Sequence, residues 1–114
     1  MSEAVKWALP YADALAAAHA ANSRFAPMIR RGSLILGVYA PRGEDPQQPH
    51  DQDEVYIVSA GTGEFVRGDD RVRFGPGDAL FVPAGMTHRF ENFSDDFATW
   101  VAFYGPSGGE PEIG

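Results

Sequence analysis

Apolar residues come in short blocks from Phe25 onward, each cut off within eight positions by glycine, proline or a polar pair. The blocks are rich in β-branched and aromatic side chains, the composition of strands rather than helices. They predict strands over Met28–Arg31, Ser33–Ala40, Glu54–Ser59, Glu64–Arg67, Arg71–Phe74, Ala79–Val82, His88–Phe93 and Phe97–Tyr104. Gly68-Asp69-Asp70 reads as a hairpin turn, and Pro83-Ala84-Gly85 and Ser94-Asp95-Asp96 break the later blocks. Pro41 to Pro49 is a polar, proline-rich connection. No helical segment separates the strands, which excludes a parallel βαβ unit and leaves a closed or sandwiched all-β domain.

Residues 1–24 follow a different rule. After Pro10, the run Tyr11 to Asn22 is dominated by alanine and reads as a short helix, with proline in the first turn and asparagine as its stop. Tyr11, Leu15 and His19 form one thin stripe at four-residue spacing that can lie on a sheet, with His19 a surface residue. The organisation is therefore an N-terminal extension over 1–24, a barrel over 25–105 and a loose, Gly/Pro/Glu-rich tail over 106–114. The last strand alternates Phe97, Thr99, Val101 and Phe103 with Ala98, Trp100, Ala102 and Tyr104. Neither face is charged, so both should be covered: one by the interior, the other by the helix or a second copy of the chain. A homodimer is the expectation.

Composition narrows the function classes. Among 114 residues there is no cysteine, which removes disulfides, thiol catalysis and thiolate metal sites. A net charge of −7 with a single lysine, Lys6, makes nucleic acid and anionic membrane surfaces poor partners. No apolar run reaches the length of a membrane span, and the N-terminus lacks the regions of a signal peptide, so a cytoplasmic protein working on a small molecule is expected.

The chemistry rests on few residues. His50 and Glu54 lie four apart at the entry to a strand; on extended backbone Gln48, His50, Gln52 and Glu54 share a face. A carboxylate heading an apolar strand is costly to bury unless it is paired or bound to a cation. If the strand beginning at His88 lies alongside, two imidazoles and one carboxylate converge, a ligand set with open positions for iron, zinc, manganese or nickel. The competing interpretation makes His50 and Glu54 surface residues at a loop edge. Tyr56 shares parity with Glu54, and Phe90 with His88; both are candidate pocket walls, or simply barrel core. Met28 and Met86 are gap fillers. Arg30, Arg31 and Arg89 could receive a substrate carboxylate, although solvated ion pairs are their commoner use.

The chain resembles the cupin superfamily. Its second motif, G-x5-P-x-G-x2-H-x3-N, is matched by Gly77, Pro83, Gly85, His88 and Asn92; its first, G-x5-H-x-H-x3-4-E-x6-G, by His50, Glu54 and Gly61. The resemblance covers roughly residues 25–105 and looks most like the small single-domain bacterial members. It implies a single cupin barrel, the double-stranded β-helix or jelly-roll-like fold, with a short N-terminal α-helix. It also implies a divalent metal held by His50, Glu54 and His88, with dioxygenase, isomerase or lyase chemistry on a small organic molecule. A non-catalytic small-ligand-binding cupin, with or without metal, is the alternative. One departure matters: Gln48 stands where the family has its first histidine, and Arg42 where it has its leading glycine. Gln48 is either a weak fourth ligand, a partner of a metal-bound water, or the mark of a site that has lost its metal.

Overall fold

The computed structural model describes residues 7–112; the first six residues, with Lys6, and the last two of the tail lie outside the described residues. A helix, α1 (Tyr11–Ala20), precedes eight strands: β1 (Phe25–Arg31), β2 (Leu34–Tyr39), β3 (Asp53–Ala60), β4 (Gly63–Arg67), β5 (Asp70–Phe74), β6 (Ala79–Val82), β7 (His88–Glu91) and β8 (Ala98–Tyr104). They form a five-stranded sheet, β1-β2-β8-β3-β6, facing a three-stranded sheet, β5-β4-β7, and every pairing within them is antiparallel. This is the all-β barrel with an N-terminal helix that the sequence predicts. No described helix is long and apolar enough to cross a membrane.

The alternation of side chains builds the interior. Glu54, Tyr56 and Val58 of β3 point inward and are buried, while Ile57 points out and is 42% exposed. On β8, Thr99, Val101 and Phe103 are buried on the inner face, with Phe97 just ahead of the strand. The core is largely aromatic: Phe90 packs on Tyr56, Phe65 and Phe97 at ring-centroid distances of 4.9, 5.0 and 4.7 Å. Each such buried ring contributes roughly 1.5–3 kcal/mol relative to exposure.

The helix lies on the other face of the large sheet. Ala14 and Ala18 are fully buried against Val38, Ala40 and Ala98. Their small side chains let α1 sit close, while Tyr11 packs on Trp100 of β8 at 5.8 Å. The helix ends at Ala20, two residues short of the predicted Asn22, and the N–H of the capping Ala21 bonds back to the Ala17 and Ala18 carbonyls. His19 is exposed.

Two differences from the sequence reading have physical causes. The predicted extended parity of 48–54 does not hold, because regular strand begins only at Asp53 and the connection before it is irregular. The described part of the tail is also tied down at two points. The Gly108 N–H donates to the Asp51 carbonyl at 2.8 Å, and the Glu110 N–H donates to Asp53 Oδ2 at 2.9 Å. Asp53 is buried, and its other oxygen accepts the Ala84 N–H at 2.9 Å, so the carboxylate is satisfied from both sides.

Candidate functional site

β3 and β7 belong to different sheets and face each other across the barrel. Glu54 lies opposite Val82 on one side and Phe103 on the other, wholly buried among apolar neighbours. His88 opens β7 after the turn at Pro83–Met86. Gly85 takes φ +80°, a conformation glycine adopts without strain, and its N–H holds the His50 carbonyl at 2.7 Å. That turn swings the chain so that the His88 imidazole enters the interior, where it is 3% exposed.

Three side chains meet there. Glu54 Oε1 lies 2.5 Å from His88 Nε2, and the Tyr56 hydroxyl lies 3.1 Å from the same nitrogen. The protons in the cluster are already committed elsewhere. His88 Nδ1 is 2.9 Å from the Met86 carbonyl, which can only accept, so Nδ1 carries a proton. The Tyr56 hydroxyl donates to Gln47 Oε1 at 3.0 Å. Neither buried oxygen of Glu54 has a hydrogen-bond partner of good geometry, close as Nε2 stands. Nε2, the Tyr56 oxygen and the Glu54 carboxylate are thus electron-pair donors converging on one point, and only a proton or a cation can satisfy them.

In the metal-free protein a proton serves that role. The His88 pKa is raised: burial opposes the imidazolium and is the largest single influence, but Glu54, the Met86 carbonyl and the Asp45 charge together outweigh it. The Tyr56 phenol is pushed far up, by burial first and by the Glu54 carboxylate next. The donor set of one imidazole nitrogen, one carboxylate and one phenol oxygen fits a hard or borderline divalent cation.

The remaining predicted residues fall around this cluster. His50 is exposed at the barrel mouth, its ring tilted against that of Phe103 at 4.4 Å and lying 6.5 Å from that of His88. Two imidazoles sharing one cation would stand roughly 5 Å apart, so the structure does not bring His50 into the buried cluster. Among the described residues, no three histidine or acidic side chains come together closely enough to hold a metal. Gln48 is exposed. Its neighbour Gln47 turns inward instead and bonds both Tyr56 and Asp45. Tyr56 and Phe90 are buried as parity requires, but both pack in the aromatic core and neither lines the cavity beside Gln47 and His50. Asn92 is exposed, with φ +50°, and bonds Glu64; Arg89 pairs with Glu91 on the outer surface.

Sequence reasoning did not identify Asp45 or Gln47. Asp45 Oδ1 accepts from the Tyr39 hydroxyl at 2.5 Å, and Oδ2 accepts from Gln47 and from the Phe90 N–H, each at 2.7 Å. Nothing in a polar, proline-rich stretch marks these two residues as inward-facing; their only signal was proximity to His50. Beside them opens a mostly apolar cavity of about 340 Å³, walled by Phe25, Tyr39, Gln47, His50 and Phe103. Gln47 belongs to both cavity and cluster, and so links them.

Comparison with known proteins agrees with this architecture. Residues 35–104 match the family model described as a cupin domain. An uncharacterised protein of Streptomyces coelicolor is 35% identical over 97 residues, covering 82% of this chain and 92% of that protein. Dimethylsulfoniopropionate lyase DddQ of Ruegeria pomeroyi is 36% identical over 70 residues, covering 60% of this chain but only 35% of the lyase. The lyase's crystal structure superposes with a TM-score of 0.57 at 29% identity, over 68% of this chain and 41% of that one. A cupin 2 conserved barrel protein from Salinispora arenicola shares the fold at a TM-score of 0.54 and 24% identity, covering 67% of this chain and 66% of that one. With the family model spanning the barrel from β2 to β8, the chain belongs to the cupin domain family.

Proposed function

We propose that this cupin is a metal-dependent enzyme acting on a small organic molecule held in the cavity beside Gln47 and His50. The observation that carries the reading is the buried Glu54, whose carboxylate, the His88 Nε2 2.5 Å away and the Tyr56 oxygen 3.1 Å from that nitrogen converge so that only a proton or a cation can hold them together. In this reading His88, Glu54 and Tyr56 hold a divalent metal, with His50 as the further nitrogen at the cavity side and Gln48 outside the set. The metal, when bound, supplies a Lewis acid that polarises a substrate oxygen. Iron, zinc, manganese and nickel all suit the donors.

The chain's own residues do the rest. Phe25, Tyr39 and Phe103 offer apolar walls that exclude water from the ligand. Gln47 presents an amide to the same space. Among dioxygenase, isomerase and lyase chemistry, similarity to a lyase that acts on dimethylsulfoniopropionate favours the lyase. The chain spans about a third of that enzyme's length, so its substrate is a starting point for assay.

Elemental analysis of untagged protein tests the metal, with about one equivalent per chain expected. Loss of that metal in Glu54→Gln and His88→Ala, with the fold retained, supports the site; a metal-free wild type overturns it. Consumption of dimethylsulfoniopropionate and of small hydroxy- and keto-acids by the metal-loaded protein then tests the reaction. A second reading, a non-catalytic ligand-binding cupin, is favoured by the stand-off of His50. Ligand-induced melting shifts without turnover across the panel would select it.

A further inference from the structure

Asp45 and Gln47 are the two polar side chains that the 41–52 connection turns into the barrel, and the direction of every proton between them can be worked out. The Asp45 carboxylate is fixed by the Phe90 N–H and the Tyr39 hydroxyl, and it can only accept. Gln47 must therefore turn its NH2 group toward Asp45; the flipped amide would set oxygen against oxygen at 2.7 Å. Its Oε1 then faces Tyr56 at 3.0 Å and can only accept in turn. Tyrosine has one hydroxyl proton, and this acceptor takes it.

We infer that Gln47, oriented by Asp45, is a positioning residue that draws the Tyr56 proton away from His88 and so keeps the phenol oxygen available as a donor to a cation. This rests on the cation site proposed above. The order runs one way, from carboxylate to amide to phenol, because each member fixes the next. With any link removed, the Tyr56 hydroxyl is free to rotate and donate to His88 Nε2, only 3.1 Å away, capping the electron pair a metal needs. The preference would cost nothing at the moment of metal uptake, since it is built into the resting network.

Two variants test this. Gln47→Leu removes the acceptor. Asp45→Ala removes the acceptor that orients Gln47 and allows its amide to reverse, presenting NH2 to Tyr56. Cobalt(II) affinity is measured by calorimetry, and the ¹⁵N resonance of His88 Nε2 is read in metal-free protein at alkaline pH, with the imidazole neutral. Both variants should lose on the order of tenfold in cobalt affinity, and in both the Nε2 resonance should move in the direction of an accepted hydrogen bond. Folded variants with unchanged Nε2 resonance and unchanged affinity would overturn the inference. If Gln47→Leu does not fold, Asp45→Ala decides alone. If the wild type takes up no cobalt, the cation site falls, while the resonance shift still decides whether Gln47 directs the proton.

Discussion

Asp45 reaches 45 positions along the chain to accept the backbone N–H of Phe90 at 2.7 Å, two residues from His88. An irregular connection is thereby tied by one carboxylate to the strand that carries a site residue. Asp45→Ala leaves that N–H and the Tyr39 hydroxyl without their acceptor. The expected loss is about 2 kcal/mol, because an unpaired, partly buried donor forfeits its desolvation cost. Denaturant unfolding of the metal-free protein measures it, and a change below a few tenths of a kcal/mol would show that water replaces the carboxylate.

Glu54 should hold the metal-free fold through its contact with His88. In the metal-free protein the His88 proton sits against this buried carboxylate, so Glu54→Gln, which leaves the imidazolium without its counter-charge, is expected to lower the melting temperature of metal-free protein. The same change should reduce metal affinity by at least about tenfold, since a neutral amide replaces the only carboxylate in the cluster. Thermal melts with and without added metal separate the two effects.

The pH dependence follows from His88. Its pKa is raised in the folded protein, so the imidazolium's contribution to stability is complete below the unfolded value of about 6.5 and is lost as pH rises through the folded one. The metal-free protein should therefore melt at lower temperature as the solution becomes alkaline over that window. Metal binding has the opposite sign, because a cation must displace the proton. Affinity should rise with pH, with proton release detectable by calorimetry in buffers of different ionisation enthalpy. A pH-independent affinity would remove His88 from the ligand set.

The outer face of the large sheet carries an apolar row in register, Leu36, Ala102, Val55 and Phe81, with Ile57 beside it. Phe81 is 45% exposed and Ile57 42%. Sedimentation at the mass of two chains is expected if a second copy covers this row, and Phe81→Asp should return the protein to one. A wild type that sediments as one chain at micromolar concentration would exclude the pairing.

Strands were legible because the two-residue period survives wherever one face is buried: Glu54, Tyr56 and Val58 alternate with Val55 and Ile57 as predicted. The inward turn of His88 was also legible, from the glycine and proline that frame it. Between Pro41 and Gln52 no period exists, and parity carried across that stretch misassigned the glutamine: Gln48 faces solvent and Gln47 faces the site. What orients Gln47 is a tertiary contact to Asp45 and Phe90, and no local pattern encodes such a contact. Asp53 was missed for the same reason, since its partners lie 31 and 57 positions away.

The bonds from Ser107, Gly108 and Glu110 to Asp51 and Asp53 make the C-terminal segment a tether on the stretch between His50 and Glu54. Whatever pulls on that end, whether a fused domain, a surface attachment or an affinity tag drawn tight on a resin, loads the backbone beside the site before it loads the barrel. Handles for immobilisation therefore belong ahead of α1, where the chain enters on the far side of the large sheet and force reaches the helix first.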